Sequence, residues 1–246
     1  DAEFTPYAGI IYDVTDRISA YASFTEIFQP QTQLDSNGDI IDPRTGRQFE
    51  IGVKADVLDN VNLSVAYFNL RDENRAVSDP INPGSFLARG EARLQGIEVE
   101  ATGSLNPNWQ VAGGYTYTNT KFVDTARVAG AEFYTPEHMF QLWTKYTFDE
   151  RHGILDKAFV GGGVKAFSSF RNLSRTAAGG ITSDIRAPGY VVVDLQAGYQ
   201  FNEHLSAVVS LNNVFDEKYY ERIGGLTVFN FYGAPRNVNF KLSAQF

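Results

Sequence analysis

Apolar and polar residues alternate with a period of two over much of the chain. In the closing stretch, Val238, Phe240, Leu242, Ala244 and Phe246 fall on one face, while Asn237, Asn239, Lys241, Ser243 and Gln245 fill the other. Between Arg47 and Val57, Phe49, Ile51, Val53, Ala55 and Val57 oppose Gln48, Glu50, Gly52, Lys54 and Asp56. Near Tyr190 the split is weaker. Val191, Val193, Leu195, Ala197, Tyr199 and Phe201 alternate with Asp194, Gln196, Gly198 and Gln200, but Tyr190 and Val192 fall on the otherwise polar side. Successive side chains of a strand point to opposite faces, so these windows read as strands, whereas a helix would scatter both sets. No window carries an i, i+3, i+4, i+7 stripe, and the chain is expected to be all-β, with helix limited to a turn in a loop.

Laid end to end, the pattern predicts about eleven strands of roughly 10 to 16 residues, longer than soluble strands and matched to a tilted membrane crossing. The connections alternate in length. Short turns fall at Thr15-Asp16-Arg17, Leu58-Asp59-Asn60, Asn106-Pro107-Asn108, Asp149 to Asp156 and Asn202-Glu203-His204. Long loops fall between them, at Gln29 to Gly46, Ala76 to Phe86, Asp124 to Glu132, Arg171 to Pro188 and Glu221 to Pro235. Outer-membrane barrels have short periplasmic turns, long extracellular loops and aromatic girdles at the strand ends. Trp109, Tyr146, Phe148, Phe159, Tyr199, Phe201 and Phe246 lie beside the short turns or the terminus, where such a girdle would sit. A soluble β-sandwich should have shorter strands and less regular loops. The reading is therefore an antiparallel transmembrane β-barrel. Single-chain bacterial barrels have even strand numbers, so about eleven strands suggests half of the 22 found in transporters with a plugged lumen, with Phe4 starting in mid-sheet.

Composition narrows the classes. Aromatic residues are 14% and charged residues 20% of the 246 positions, too apolar for a disordered tail. A net charge of −8 with no basic block argues against nucleic acid as a partner. Cysteine is absent, which removes thiolate metal sites, disulfides and cysteine nucleophiles. Asp1-Ala2-Glu3-Phe4 does not read as a signal peptide, and charge-free stretches such as 101–120 are too rich in Asn, Thr and Gly for a membrane helix.

Catalytic and metal motifs are weak. His138, His152 and His204 are scattered, no G-x-S-x-G occurs, and Asp194, His204 and Ser206 form a triad only on paper. Asp35-Ser36-Asn37-Gly38-Asp39 opens like a calcium loop, but its glycine comes early and Gly46 stands where the final glutamate is needed, so it reads as a turn. Gly161-Gly162-Gly163 lies within a strand, where it would allow close packing or a bend rather than cradle phosphate. No enzyme activity, resident metal or cofactor is expected.

Three groups of residues carry a family resemblance. They are Phe24-Thr25-Glu26-Ile27-Phe28-Gln29-Pro30-Gln31-Thr32 followed by Gly38-Asp39, Pro43, Gly46 and Gln48 to Lys54; Gly96-Ile97-Glu98-Val99-Glu100; and Leu211-Asn212-Asn213-Val214-Phe215-Asp216-Glu217-Lys218-Tyr219-Tyr220 with Tyr232 to Val238 and the terminal Phe246. In this order they resemble the barrel of TonB-dependent ferric-siderophore receptors, especially the hydroxamate and pyoverdine group. The resemblance implies that residues 1–246 are the C-terminal part of such a barrel in the outer membrane of a Gram-negative bacterium. It also implies a plug inside the complete barrel, uptake energised through the TonB complex, and a ferric siderophore as the transported ligand. This chain lacks the plug, the TonB box and about half the strands, so transport by the segment alone is not expected. A porin, or an importer of haem, cobalamin or glycan, is the competing reading.

Roles follow for particular residues. Phe240, Leu242 and Phe246 are candidates for the signal read by the barrel-assembly machinery, or simply face lipid. Glu50, Lys54, Glu98 and Glu100 fall on the lumen face, against the plug or as a hydrated wall. For ligand contact, stacking and charge point to Tyr219, Tyr220, Arg222, Phe229, Phe231 and Tyr232 around the last long loop, with Arg171, Arg175 and Arg186 in the preceding one.

Overall fold

The computed structural model describes residues 4–123, 130–175 and 180–245; Phe246 and parts of two long loops lie outside the described residues. Among the described residues sixteen strands form, with one short 3₁₀ turn at Glu150–Leu155. They are β1 (Tyr7–Thr15), β2 (Ile18–Gln29), β3 (Arg44–Leu58), β4 (Val61–Ser78), β5 (Phe86–Asn106), β6 (Trp109–Val123), β7 (Gly130–Tyr134) and β8 (His138–Thr147). Then follow β9 (Ala158–Phe167), β10 (Phe170–Arg175), β11 (Ile181–Ala187), β12 (Tyr190–Gln200), β13 (Leu205–Asn212), β14 (Tyr220–Arg222), β15 (Phe231–Tyr232) and β16 (Asn237–Ala244).

Eleven of these make one antiparallel sheet in the order β1-β2-β3-β4-β5-β6-β8-β9-β12-β13-β16, the number the alternation predicts. Their lengths run from 8 to 21 residues, a wider range than predicted, because β4 and β5 keep pairing as far as Ser78 and Phe86 and carry the second long loop at their tip. Neighbours in the sheet are sequential except where outer segments intervene, as expected of up-and-down strands joined by hairpins. Among the described residues β1 pairs only with β2 and β16 only with β13, so the sheet is open at both edges.

Register and exposure separate the apolar face expected to meet lipid from the lumen face. Phe49, Ile51 and Phe240 are 60, 58 and 67% exposed, while Gly52, Ala66 and Gly96 on the opposite face are buried or nearly so. In water such a surface would be unfavourable; in hydrocarbon each large apolar side chain gains roughly 1.5–3 kcal/mol. Phe240 and Leu242 lie on this outward face. Trp109, Tyr146 and Phe148 form an edge-to-face cluster beside the short turns, and Tyr199 meets Phe201 with centroids 5.1 Å apart. Phe159 departs from the expected girdle. It pairs with Thr147 and Gly198 on the lumen face, where the Lys145 ammonium lies 4.5 Å over its ring. Proximity to a turn does not reveal the face; the parity of pairing does.

The long connections are not bare loops. β7, β10 and β11 build a three-stranded sheet in the order β11-β10-β7, and β14 pairs with β15. These strands are short and show no clean alternation, and their partners come from other segments, so a period-two reading passes over them. The Asp35 turn is as expected: its carboxylate accepts the backbone N–H of Asn37 (2.8 Å) and of Asp39 (3.0 Å). Gln31 clasps the first long loop to β4, donating to the carbonyls of Asp42 (2.6 Å) and Asn74 (2.7 Å) and accepting from the N–H of Ala76 (3.0 Å).

Candidate functional site at the outer mouth

All the long connections emerge from one end of the sheet, and their packing makes the candidate site. Leu173 and Asn172 of β10 are almost fully buried, as are Ala187 of β11 and Ile223 after β14. The Asn172 amide donates to the Gly224 carbonyl, tying the β14–β15 hairpin to the three-stranded sheet. Asn213 holds the base of the last long loop. Its buried side chain donates to the carbonyls of Glu217 (2.9 Å) and Ala234 (3.0 Å) and accepts from the Glu217 N–H (2.8 Å), while its own N–H donates to Asp194 (2.8 Å).

Between these elements lies a cleft of about 280 Å³ lined by Phe133, Tyr134, Thr135, Pro136, Met139, Phe167, Phe170, Arg171, Tyr190, Glu221, Arg222 and Ile223. Five of its twelve lining residues are aromatic, with two guanidinium groups and one carboxylate, a composition suited to a flat ligand carrying acidic or chelating oxygens. The Arg171 guanidinium stacks 4.5 Å over Tyr134, a cation–π contact that fixes its plane. Tyr134 donates to Glu132 (2.8 Å), which also accepts from Arg175 Nε (3.0 Å). Burial first, then the Glu132 carboxylate, raises the Tyr134 phenol above its ordinary value, so it remains a neutral donor.

The nine residues expected to touch ligand separate in space. Arg171 and Arg222 converge on the cleft. Tyr219 stands just behind it, stacked 4.2 Å from Tyr190, which in turn lies 5.1 Å from Phe167. Tyr220 and Tyr232 stack on each other at 4.5 Å with their hydroxyls 2.9 Å apart, across the small hairpin. Arg175 is engaged by Glu132, and Arg186 pairs with Asp184 at 3.2 Å. Phe229 and Phe231 are exposed on the hairpin and do not line the cleft. Tyr190, Phe167, Phe170, Phe133 and Tyr134 are the aromatic cleft residues that the pattern did not single out. One signal for Tyr190 was present: an aromatic on the polar side of an alternating strand, next to a long loop.

On the lumen face, Glu50 accepts from the Tyr21 hydroxyl (2.7 Å) and from Gln48 Nε2 (3.1 Å), and the Lys54 ammonium sits 5.1 Å from the Tyr21 ring centroid. Glu98 lies among like charges, with Glu100 and Glu50 nearby. Above them Asp72 binds two arginines, Arg44 bidentately at 2.6 and 2.5 Å and Arg75 at 2.5 Å. Asp194 binds the Asn213 N–H and lies 3.5 Å from Lys165, at the opposite end of the β12–β13 hairpin from His204, so the paper triad is not assembled.

Residues 1–214 match the family described as TonB dependent receptor-like, beta-barrel. The ferripyoverdine receptor of Pseudomonas aeruginosa is 38% identical over 99% of this chain and 30% of its own length. The ferric-pyoverdine 358 receptor of Pseudomonas putida is 36% identical over 98% of this chain and 29% of its own. The crystal structure of the ferripyoverdine receptor of the outer membrane of Pseudomonas aeruginosa bound to ferripyoverdine superposes with a TM-score of 0.80 at 35% identity, covering 99% of this chain and 33% of that one. The chain thus spans about a third of the length of these relatives. A half-open antiparallel sheet with an apolar outer face and a built outer mouth, aligned almost throughout with such relatives, belongs to the TonB-dependent receptor β-barrel family of the Gram-negative outer membrane.

Proposed function

We propose that the chain is the C-terminal part of the barrel of a receptor that imports a ferric siderophore of the pyoverdine class. The reading rests on the alignment of nearly the whole chain with ferripyoverdine receptors. The cleft at the outer mouth, where Arg171 and Arg222 face aromatic walls, supports it. In this reading the arginines draw in the acidic groups of the chelate and the Tyr134–Tyr190 side stacks against its flat part. The iron chelate is cargo, the protein carries no resident cofactor, and its action is binding and passage rather than catalysis. Glu50, Lys54, Glu98 and Glu100 face the plug of the complete receptor, uptake is energised through TonB, and Phe240, Leu242 and Phe246 are read by the barrel-assembly machinery.

The test is uptake by cells carrying the full-length gene. Radiolabelled iron should enter as ferric pyoverdine, and the double variant Arg171→Ala, Arg222→Ala should weaken chelate binding about tenfold or more while barrel abundance is unchanged. Uptake of haem, cobalamin or a glycan with no ferric chelate would overturn the assignment.

A further inference from the structure

The Tyr134 ring in the wall of the cleft is held from several sides. Its hydroxyl donates to Glu132 (2.8 Å), the Arg171 guanidinium lies 4.5 Å over its centre, and the Phe122 ring stands edge-to-face against it, with centroids 5.1 Å apart and planes at 69°. Glu132 and Arg171 belong to β7 and β10 of the outer three-stranded sheet. Phe122 belongs to β6, at the outer end of the eleven-stranded sheet, and it does not line the cleft. It therefore ties a cleft residue to the main sheet without meeting ligand itself.

Phe122 is in turn fixed from the neighbouring strands. Cross-strand pairing sets Asp72 of β4, Ala92 of β5 and Phe122 in one row, with the small, buried Ala92 in the middle. Arg75 touches both outer members: its guanidinium donates to Asp72 at 2.5 Å and lies 5.6 Å from the Phe122 centroid. Asp72 is also gripped by Arg44. The contacts thus run Asp72, Arg75, Phe122, Tyr134, Arg171, each aromatic step at a separation where cation–π or edge-to-face attraction acts. We propose that Phe122 is a positioning residue of the outer-mouth cleft: it holds Tyr134 in the plane on which Arg171 stacks, and so sets the direction in which that guanidinium offers its N–H donors to an acidic or chelating oxygen. A planar donor fork loses hydrogen bonding when it tilts, so the orientation matters as much as the charge. The inference rests on the ferric-chelate reading above for the ligand, and on the ring contacts alone for the positioning.

The experiment uses the full-length receptor purified in detergent, with ferric pyoverdine as the probe. Leucine at 122 is apolar but has no ring, whereas tyrosine keeps the ring. Phe122→Leu should weaken ferric pyoverdine binding about fivefold, and Phe122→Tyr should stay within about twofold of wild type. In an Arg171→Ala background Phe122→Leu should cost nothing further, while in an Arg222→Ala background it should cost its full amount. Equal losses in both backgrounds would mean a general weakening of the mouth and would overturn the proposal. A second readout needs no ligand: 3-fluorotyrosine placed at position 134 should give one fluorine resonance in wild type and in Phe122→Tyr, and a second or broadened one in Phe122→Leu. A wild-type spectrum in the leucine variant would equally overturn it. A receptor that shows the fluorine difference but binds no ferric pyoverdine would leave Phe122 as the residue that positions Tyr134 and remove the chelate reading.

Discussion

The left-handed backbone of Asn213, with φ at 51°, turns the chain out of β13, and asparagine is among the few residues that adopt this conformation readily. Its side chain accepts the Glu217 N–H and donates to the Glu217 and Ala234 carbonyls. Asn213→Ala would remove all three bonds at about 0.5–1.5 kcal/mol each, since Glu217 and Ala234 are exposed and water can take over part of the pairing. In the full-length receptor, amide exchange across 214–236 should then accelerate at least about tenfold; wild-type exchange rates would show that the loop is held by something else. At the opposite end, Asp149 is held well below the ordinary aspartate range, first by the Arg151 guanidinium (2.5 Å) and then by His152 (2.9 Å) and the Arg151 N–H. Because its folded value is depressed, its contribution is full above about pH 3.9 and is lost as pH falls through the folded value. Carboxyl-carbon NMR of the refolded receptor should show Asp149 still ionised at about pH 3; titration with an ordinary midpoint would mean the turn contacts are not maintained.

Strand β9 shows how an element accommodates its neighbour. Gly161 and Gly163 point into the lumen, and the indole of Trp143 on β8 lies across both, so an added Cβ at Gly163 would collide with the ring. At Gly161 the nearest atoms are 3.1 and 3.2 Å away, tight but not overlapping. Gly163→Ala should therefore destabilise the barrel by about 1–3 kcal/mol, Gly161→Ala by less, and Trp143→Ala should remove most of the Gly163→Ala penalty. Denaturant unfolding of the three single variants and the Trp143 and Gly163 pair would measure that coupling; additive effects would contradict it. The glycine run was legible as a packing feature, but the tryptophan that requires it was not, because β8 and β9 meet across a turn whose register depends on the 3₁₀ segment at Glu150–Leu155.

The sheet of the described residues has two free edges, at β1 and β16, and β1 is exposed along its whole length. Each unpaired backbone group in hydrocarbon costs several kcal/mol. The 246-residue segment refolded by itself should not give the heat-modifiable band of a closed barrel, whereas adding the remaining strands of the receptor should restore it. Closure by the segment alone would require β1 to pair with β16 and would contradict the open sheet.

The chain by itself determined the strand number of the main sheet, the membrane-facing parity and the end that carries the long loops. Each depends on local alternation and on turn residues, which are properties of contiguous sequence. That Arg171 and Arg222 share one cleft was decided by β7, β10 and β14 packing together from separate connections. Contacts of this kind join residues far apart in the chain, and no local period encodes them.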